Sequence, residues 1–536
     1  MLYIEPVKRS LLVALLVPSL AWAQTSPAAQ AARHWRQQHE RAIVDELVAL
    51  LKVPNVSSDK PNIQRNAELV ARMMGARGIA ARLVSIPGGS PVVVGEIRTP
   101  GATRTIGLYA HYDGQPLDPK EWASPPFEPM LRNRPVEDGG TTLPLPSAGT
   151  PFDPESRLYA RGAGDDKGPI VAMLTALDAI RSAGIGMKSN VKFAFEGEEE
   201  IASPNLEATI AANKETFAAD VWLICDGPVY QTRQQSLIFG ARGITSFEVT
   251  VYGPRVELHS GHYGNWAPNP ATELVTLLAS MKDDRGHVTI PGFYDQVDAL
   301  GALEKKAIAE APAIEGELRR EFWLGASTGS QKSLNELLTQ PSLNIRGMAS
   351  SRIGAQASNV IPSTATATID IRLVKSMDIK RTQQLLRDYV AKQGFFVVDS
   401  EPSVDERRSH EKVAKVTFTP GVTEARRTPM DLPIAQDVIR AVEGPRGTTV
   451  KLPTMGATVP LDAIERPLGT STIIVRLPPS KQTKPVPHTP NTRPQRWRLR
   501  ASTVGMIAMP ATASRCFGTG SGSRSSSPSR RSCGAT

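Results

Sequence analysis

Three short apolar runs in the first half of the chain are typical of buried strands. They are Thr105–Ala110, Val191–Phe195 and Val221–Cys225. Near-continuous apolarity is typical of strands that are buried on both faces of a parallel sheet. Gly168–Ala183, between the first two runs, has helical apolar spacing, as do Ala31–Val53 and Asn66–Gly78. Strands that alternate with helices predict an α/β fold with a mixed, mostly parallel sheet flanked by helices.

The pattern changes from about residue 241. Half-exposed alternation predicts strands at 244–253 and 364–374, helical spacing predicts helices at 270–282 and 379–393, and 395–398 is a further short apolar run. These elements predict a smaller α+β domain, a lid and dimerisation domain inserted into the first. The pattern typical of buried helices and strands in an α/β domain returns with a helix at 432–442 and a strand at 470–475. The expected limits are 24–240 and 426–475 for the catalytic domain and 241–425 for the insert.

The N-terminus has the layout of a secretory signal. Lys8 and Arg9 precede the apolar run Leu11–Val17, and Ala21–Ala23 offers a cleavage site. The run is too short to span a bilayer. We therefore expect a signal peptide at 1–23, no membrane attachment after its removal, and a secreted or periplasmic protein; a buried N-terminal helix is the alternative. Cys225 lies in a strand and only two other cysteines exist, so a disulfide framework is not expected.

The net charge of +9 comes from the end of the chain. Residues 476–536 contain eleven of the 62 Lys and Arg and no Asp or Glu, so the rest of the chain is close to neutral. Without a basic stripe in the body, nucleic acid is excluded as a partner. The loss of acidic residues and of apolar periodicity near Arg476 suggests a shift of reading frame, which the other two frames of the coding DNA would test. A native disordered basic tail is the alternative.

Imidazole and carboxyl groups follow the predicted strands. They are His111, Asp165, Glu199, Glu200 and Asp226. Because ligands bind beyond the carboxyl ends of strands in such sheets, these groups are expected at one edge. Nitrogen and oxygen ligands suit zinc, with manganese or cobalt as alternatives. We expect two divalent metal ions that share one carboxylate, and a further carboxylate that acts as general base.

An ordered set of motifs then resembles a known family. The motifs are HYDGQP (111–116), WASPPFEP (122–129), LYARGAGDDKGP (158–169), EGEEEIAS (196–203), Asp226, LHSGHYGNW (258–266), NVIP (359–362) and IDIRLV (369–374). Over about residues 40–475 the chain resembles the dinuclear-zinc aminoacylase and exopeptidase family. That family includes carnosinase-type dipeptidases, acetylornithine deacetylase and succinyl-diaminopimelate desuccinylase, and the resemblance is closest to the dipeptidases.

The resemblance implies a role for each matching residue at the metal site. His111 and Asp226 would hold one zinc ion, Glu200 the other, and Asp165 would bridge both. Asp113 would orient the His111 ring. Glu199 would be the general base that takes a proton from water held between the metals, whereas Glu196 and Glu198 are expected to have no direct role.

Further roles follow from the resemblance in the inserted domain and beyond. His259 would reach across a homodimer interface and stabilise the oxyanion. Arg372, with Asn359, would hold the terminal carboxylate of the substrate. Gly456 lies where the family has a Gly-Gly-Ser turn near that carboxylate, and the methyl group of Ala457 is expected to crowd the turn. His488 is the candidate for the last histidine ligand that the family has after its final core strand.

The predicted function is hydrolysis of a peptide or amide bond next to a free carboxylate, by a dipeptidase or exopeptidase acting on a small peptide. One alternative is an N-acyl amino acid deacylase, and another is a binding protein that lost catalysis through its altered C-terminus. Taken singly, the motifs can be explained without any functional role. A glutamate run is typical of a solvated helix face, and Arg372 fits an exposed strand position.

Overall fold

The computed structural model describes residues 27–227, 230–232, 234–328, 332–446, 449–476 and 499–500. The predicted signal peptide, His488 and most of the basic tail lie outside these residues. The described chain forms two large sheets, one built from both ends of the sequence and one from the middle. Within the described part, no helix is both long enough and apolar enough to cross a membrane.

The N-terminal part contributes most of the first sheet and its helices. The helices are α1 (Pro27–Leu51), α2 (Lys60–Gly75), α3 (Lys167–Ser182), α4 (Leu206–Ala212) and α5 (Lys214–Phe217). The strands are β1 (Arg82–Val84), β2 (Val92–Ile97), β3 (Thr105–His111), β4 (Met130–Arg132), β5 (Thr142–Leu143), β6 (Arg157–Tyr159), β7 (Asn190–Glu196), β8 (Val221–Ile224), β9 (Ser236–Ile238) and β10 (Gly240–Ala241).

The middle and the end of the chain supply the remaining elements. The middle contains β11 (Gly243–Tyr252), β12 (Leu258–His259), α6 (Ser260–Tyr263), α7 (Pro270–Ser280), α8 (Ala302–Glu310), α9 (Glu315–Glu321), α10 (Leu334–Leu337), β13 (Ser342–Ala349), β14 (Val360–Ile361), β15 (Thr364–Leu373), α11 (Ile379–Lys392), β16 (Phe396–Val398), α12 (Val404–Ser409) and β17 (Val413–Phe418). The end contains β18 (Arg426–Arg427), α13 (Pro433–Arg446), β19 (Val450–Leu452), α14 (Leu461–Leu468), β20 (Ser471–Arg476) and β21 (Leu499–Arg500).

The first sheet has the strand order β1-β2-β7-β3-β8-β20-β9-β19. Its centre, β7, β3, β8 and β20, is parallel. The strands next to this centre, β2 and β9, pair antiparallel with it. The expected mixed sheet with a parallel centre is therefore confirmed, and α3 is the predicted crossover helix between β3 and β7.

Both faces of this sheet are buried, which explains the near-continuous apolar strands. On one face, Leu47, Val70 and Leu174 of α1, α2 and α3 pack against Phe193 and Phe195. On the other face, Trp222 packs with residues of α4, α14 and β19. The burial of apolar surface on both faces is the main contribution to the stability of this sheet, and the stable sheet fixes the positions of the strand ends.

The second sheet has the order β13-β15-β11-β17-β16. Strands β11 and β15 are antiparallel over their whole length, from Gly243 opposite Leu373 to Tyr252 opposite Thr364. Helices α7 and α11 bury their apolar residues against one face of this sheet. This sheet and its helices lie within the residues predicted for the inserted α+β domain, and β13 and β17 had not been predicted.

Two connections join the sheets and run side by side. Strand β10 pairs with β18, and Gly240 allows this approach, because a Cβ atom there would lie 2.2 Å from the carbonyl oxygen of Arg426. A Cβ atom at Gly243 would likewise lie 2.3 Å from the carbonyl oxygen of Thr423. The second sheet is thus tied to the first at one edge of the cleft between them.

Candidate metal centre

The order of the central strands brings three polar strand ends together. Strand β3 ends at His111, and its parallel neighbour β8 is followed by Cys225 and Asp226. On the other side of β3, His111 pairs in register with Glu196, the last residue of β7. A short 3₁₀ turn, Glu199–Ile201, follows β7. The apolar strands therefore position these side chains at the carboxyl edge of the sheet.

One nitrogen and two carboxylate oxygens form the core of the site. His111 Nε2 lies 2.9 Å from Asp165 Oδ1. One ligand atom from each of His111, Asp165 and Asp226 lies within 4.8 Å of the other two. Asp165 comes from the turn before α3, and its peptide bond to Asp166 is cis. Zinc binds such atoms at about 2.0–2.2 Å, so small side-chain adjustments would bring all three within reach of one ion.

Glu199 and Glu200 extend the cluster. Glu199 Oε2 is 3.8 Å from His111 Nε2. Glu200 Oε1 is buried and has no hydrogen-bond partner among the described residues. A buried carboxylate oxygen without a donor is costly, and a cation would satisfy it.

Burial, together with the neighbouring charges, raises the pKa values of three carboxyl groups in this cluster. Burial, followed by the charge of Asp165, raises the pKa of Glu200 to about 7 and that of Asp226 to about 6. Burial also raises the pKa of Glu199 well above the usual range, and the charges of Asp226 and Glu200 add to this. Several acids that resist ionisation together form a site whose electrostatics favour a divalent cation. The donor set fits zinc, manganese or cobalt.

Asp113 organises both halves of the site. It is fully buried, and its Oδ1 lies 3.3 Å from His111 Nδ1, which turns Nε2 towards Asp165. The same carboxylate accepts the backbone N–H groups of Glu199 and Glu200, each at 3.1 Å. Although burial lowers the pKa of His111, its interactions with the adjacent Asp113 and Asp165 carboxylates outweigh this effect and raise that pKa well above its usual value.

Two supporting residues had not been identified from the sequence. Asp166 is fully buried and its Oδ2 accepts the backbone N–H of His111 at 3.2 Å. Ser57 Oγ donates to Asp113 Oδ2 at 2.7 Å. The pair of aspartates in GAGDDKG was a signal for Asp166. Nothing in the sequence marks Ser57, because its contact depends on the packing of a distant segment.

A cavity of about 1510 Å³ between the two sheets is lined by Asp165, Glu199, Glu200 and Asp226 and, from the inserted domain, by Arg372. Arg372 Nη1 donates to Thr458 Oγ1 at 3.0 Å, and its Nε lies 3.6 Å from Asp370 Oδ2. The Arg372 guanidinium and the acidic cluster therefore line the same cavity.

The other predicted substrate residues are placed differently. Met455 and Ala457 line the cavity, whereas Gly456 between them faces Leu338: a Cβ atom at Gly456 would lie 2.8 Å from Leu338 Cδ2. His259 and Asn359 are exposed in the inserted domain and do not line the cavity of their own chain. Their roles, like those of the other site residues, stay predictions, and His488 lies outside the described residues.

The fold and this cluster define a metal-dependent hydrolase built on an α/β exopeptidase fold. Residues 107–491 match the model of the peptidase family M20/M25/M40. The chain belongs to this family, which confirms the resemblance seen in the sequence.

Named relatives agree with the dipeptidase branch. The chain is 28% identical to the Cys-Gly metallodipeptidase of Schizosaccharomyces pombe over 368 residues, 65% of this chain and 72% of that protein. It is 30% identical to the Beta-Ala-His dipeptidase of Homo sapiens over 301 residues, 55% of each chain. Among solved structures, an M20 family metallo-carboxypeptidase from Sulfolobus solfataricus matches with a TM-score of 0.66 and 25% identity, covering 87% of this chain and 96% of that one.

Proposed function

We propose that this chain is a metal-dependent dipeptidase that cleaves the peptide bond next to a free carboxylate. The observation that carries the proposal is a single cavity lined both by Asp165 and Asp226, which cluster with the buried His111, and by Arg372. A planar guanidinium suits a carboxylate because it donates two parallel hydrogen bonds. The dipeptidase names of the relatives support the same substrate class.

His111, Asp165, Asp226 and Glu200 would hold the metal pair, for which we propose zinc. When bound, the ions supply positive charge that polarises the scissile carbonyl and activates water. Glu199 acts as general base, accepting a proton from the attacking water and delivering it to the leaving amine. Asp113 fixes His111 and the Glu199 backbone, so the base keeps its place while its charge changes.

A substrate panel tests this function on the zinc-loaded protein. Free dipeptides are expected to be hydrolysed, whereas dipeptide amides, which lack the terminal carboxylate, are expected to bind poorly. Arg372→Met should remove most of that discrimination. Turnover of N-acyl amino acids alone would favour the deacylase, and zinc binding without any turnover would favour the binding protein.

Glu199→Gln provides the sharper test of mechanism. It is expected to lower kcat by about 100-fold or more with zinc content retained, because general-base catalysis contributes on that scale. Glu207→Gln is a matched control, since Glu207 lines the same cavity but pairs with Arg466 at 2.6 Å. Unchanged kcat in Glu199→Gln would overturn the assigned role.

We also propose a homodimer formed through the inserted domain. Strand β13 lies at an end of the second sheet and exposes Met348, and Ile353 and Trp266 are largely exposed in the same domain. In this dimer, His259 of each subunit serves the cavity of the other. Mixing inactive Glu199→Gln and His259→Ala proteins should then restore about a quarter of wild-type activity through mixed dimers. No recovery in verified mixed dimers would refute the shared site.

We further propose that the chain is exported and processed after Ala23. The support is the run of Lys8, Arg9 and Leu11–Val17 followed by Ala21–Ala23. N-terminal sequencing of protein from the periplasm should begin at Gln24. An unprocessed cytoplasmic protein would contradict the proposal.

A further inference from the structure

Glu198 has a fully paired carboxylate directly before Glu199. Its side chain is only 4% exposed. Oε1 accepts from Lys60 Nζ and from the backbone N–H of Ser90, both at 2.9 Å, and Oε2 accepts from Asn205 Nδ2 at 2.9 Å. A buried carboxylate is tolerated when each of its oxygens has a donor, and removing it leaves the buried Ser90 N–H and the half-buried Asn205 amide without this acceptor.

The three partners of Glu198 come from separate parts of the first domain. Lys60 is the first residue of α2, Ser90 lies in the loop before β2, and Asn205 directly precedes α4. Lys60 Nζ also donates to Ser90 Oγ at 2.9 Å. The Glu198 carboxylate therefore links the turn after β7 to a helix and two loops of the scaffold.

The same turn is held from its other side by Asp113, which accepts the N–H groups of Glu199 and Glu200. Directly after these anchored residues the backbone is strained: Ala202 and Ser203 have φ values of 68° and 48°, in the left-handed region, which is unfavourable for residues other than glycine. The carbonyl oxygen of Glu198 accepts from the N–H of Ser203 at 2.9 Å. Strained backbone of this kind persists only when its surroundings hold it.

We propose that Glu198, through its contacts with Lys60, Ser90 and Asn205, is a positioning residue that sets where the Glu199 and Glu200 carboxylates lie relative to His111 and Asp165. The proposal rests on the function proposed above. A catalytic group displaced by about 1 Å costs on the order of 100-fold in rate. Loss of the anchor should therefore lower kcat more than it raises KM, because the wall that carries Arg372 is not touched.

The test compares Glu198→Ala, Glu198→Gln and the matched control Glu68→Ala, an exposed glutamate on α2. Glu198→Ala is expected to lower kcat about 10- to 100-fold per folded, zinc-loaded molecule with KM within about threefold. Glu198→Gln keeps an acceptor for Lys60 and Ser90 and should recover much of the loss. A kcat within twofold of wild type for Glu198→Ala would overturn the proposal.

A second readout is independent of turnover. Hydrogen exchange of the Glu199 and Glu200 amides, measured on the full chain without metal, should be at least about tenfold faster in Glu198→Ala and unchanged in Glu68→Ala. Equal exchange rates in Glu198→Ala and wild type would refute the positioning role of Glu198, even if the Glu198→Ala protein proved inactive. If Glu198→Ala exchanges faster than wild type as predicted, but wild type hydrolyses no dipeptide, only the proposed function is refuted.

Discussion

Asp113 Oδ1 lies 3.3 Å from His111 Nδ1, with both side chains fully buried. A histidine that binds a metal through one ring nitrogen is commonly oriented by a carboxylate at the other, which also makes it a stronger ligand. In this protein the same carboxylate holds the backbone of Glu199 and Glu200, so one residue couples the proposed ligand His111 to the proposed base.

Replacing Asp113 with Asn should therefore weaken metal binding. An amide keeps the size of the side chain but loses the negative charge that faces the imidazole, and we expect zinc affinity to fall about 10- to 100-fold. Competition with a chelator measures this affinity. Asp405→Asn, on exposed helix α12, is the control and should leave it unchanged. Equal affinity in Asp113→Asn would show that the carboxylate does not tune His111.

A second prediction concerns the sheet that carries the site. Gly107 on β3 faces Trp222 on β8, and a Cβ atom at Gly107 would lie 2.2 Å from Trp222 Cδ2. Gly107→Ala should lower the free energy of unfolding by about 1–3 kcal/mol, because a fully buried indole has no space to move. Gly186→Ala is the matched control, because a Cβ atom at Gly186 would have no neighbouring atom within 4 Å. Urea unfolding measures both, and equal stability would contradict the packing described.

The third prediction concerns pH. Burial raises the pKa of Glu196 from 4.5 to about 8, although a hydrogen bond from Tyr109 opposes this. In the folded metal-free protein the carboxyl keeps its proton between these pH values, whereas the unfolded chain releases it. The stabilisation is complete below about pH 4.5 and is lost as the pH rises towards 8.

The side chain that Glu196→Gln introduces is uncharged at every pH, so this variant should not lose stability in this way as the pH rises. Urea unfolding at pH 5 and pH 8 should show wild type losing on the order of 3 kcal/mol more than Glu196→Gln over this interval. Parallel pH profiles for the two proteins would mean that Glu196 is ionised in the fold.

The strands that position the site were predictable because their burial on both faces leaves a local mark. Near-continuous apolar runs identified β3, β7 and β8, and the rule that ligands bind at strand ends brought His111 and Asp226 together. The edge strand β13 was missed because six of its eight residues are exposed and give no apolar pattern. Glu198 was taken for a flanking residue, since its partners Lys60 and Ser90 are distant in sequence and meet it only in the fold.

The most direct test of the account is bound zinc and dipeptide turnover measured together in wild type and Asp165→Ala. Asp165 is the carboxylate nearest to His111 Nε2, at 2.9 Å, and is proposed to bridge the two ions. Wild type is expected to hold about two zinc ions per chain. Asp165→Ala is expected to hold fewer than one and to lose turnover, whereas full zinc content and full turnover in Asp165→Ala would contradict the account.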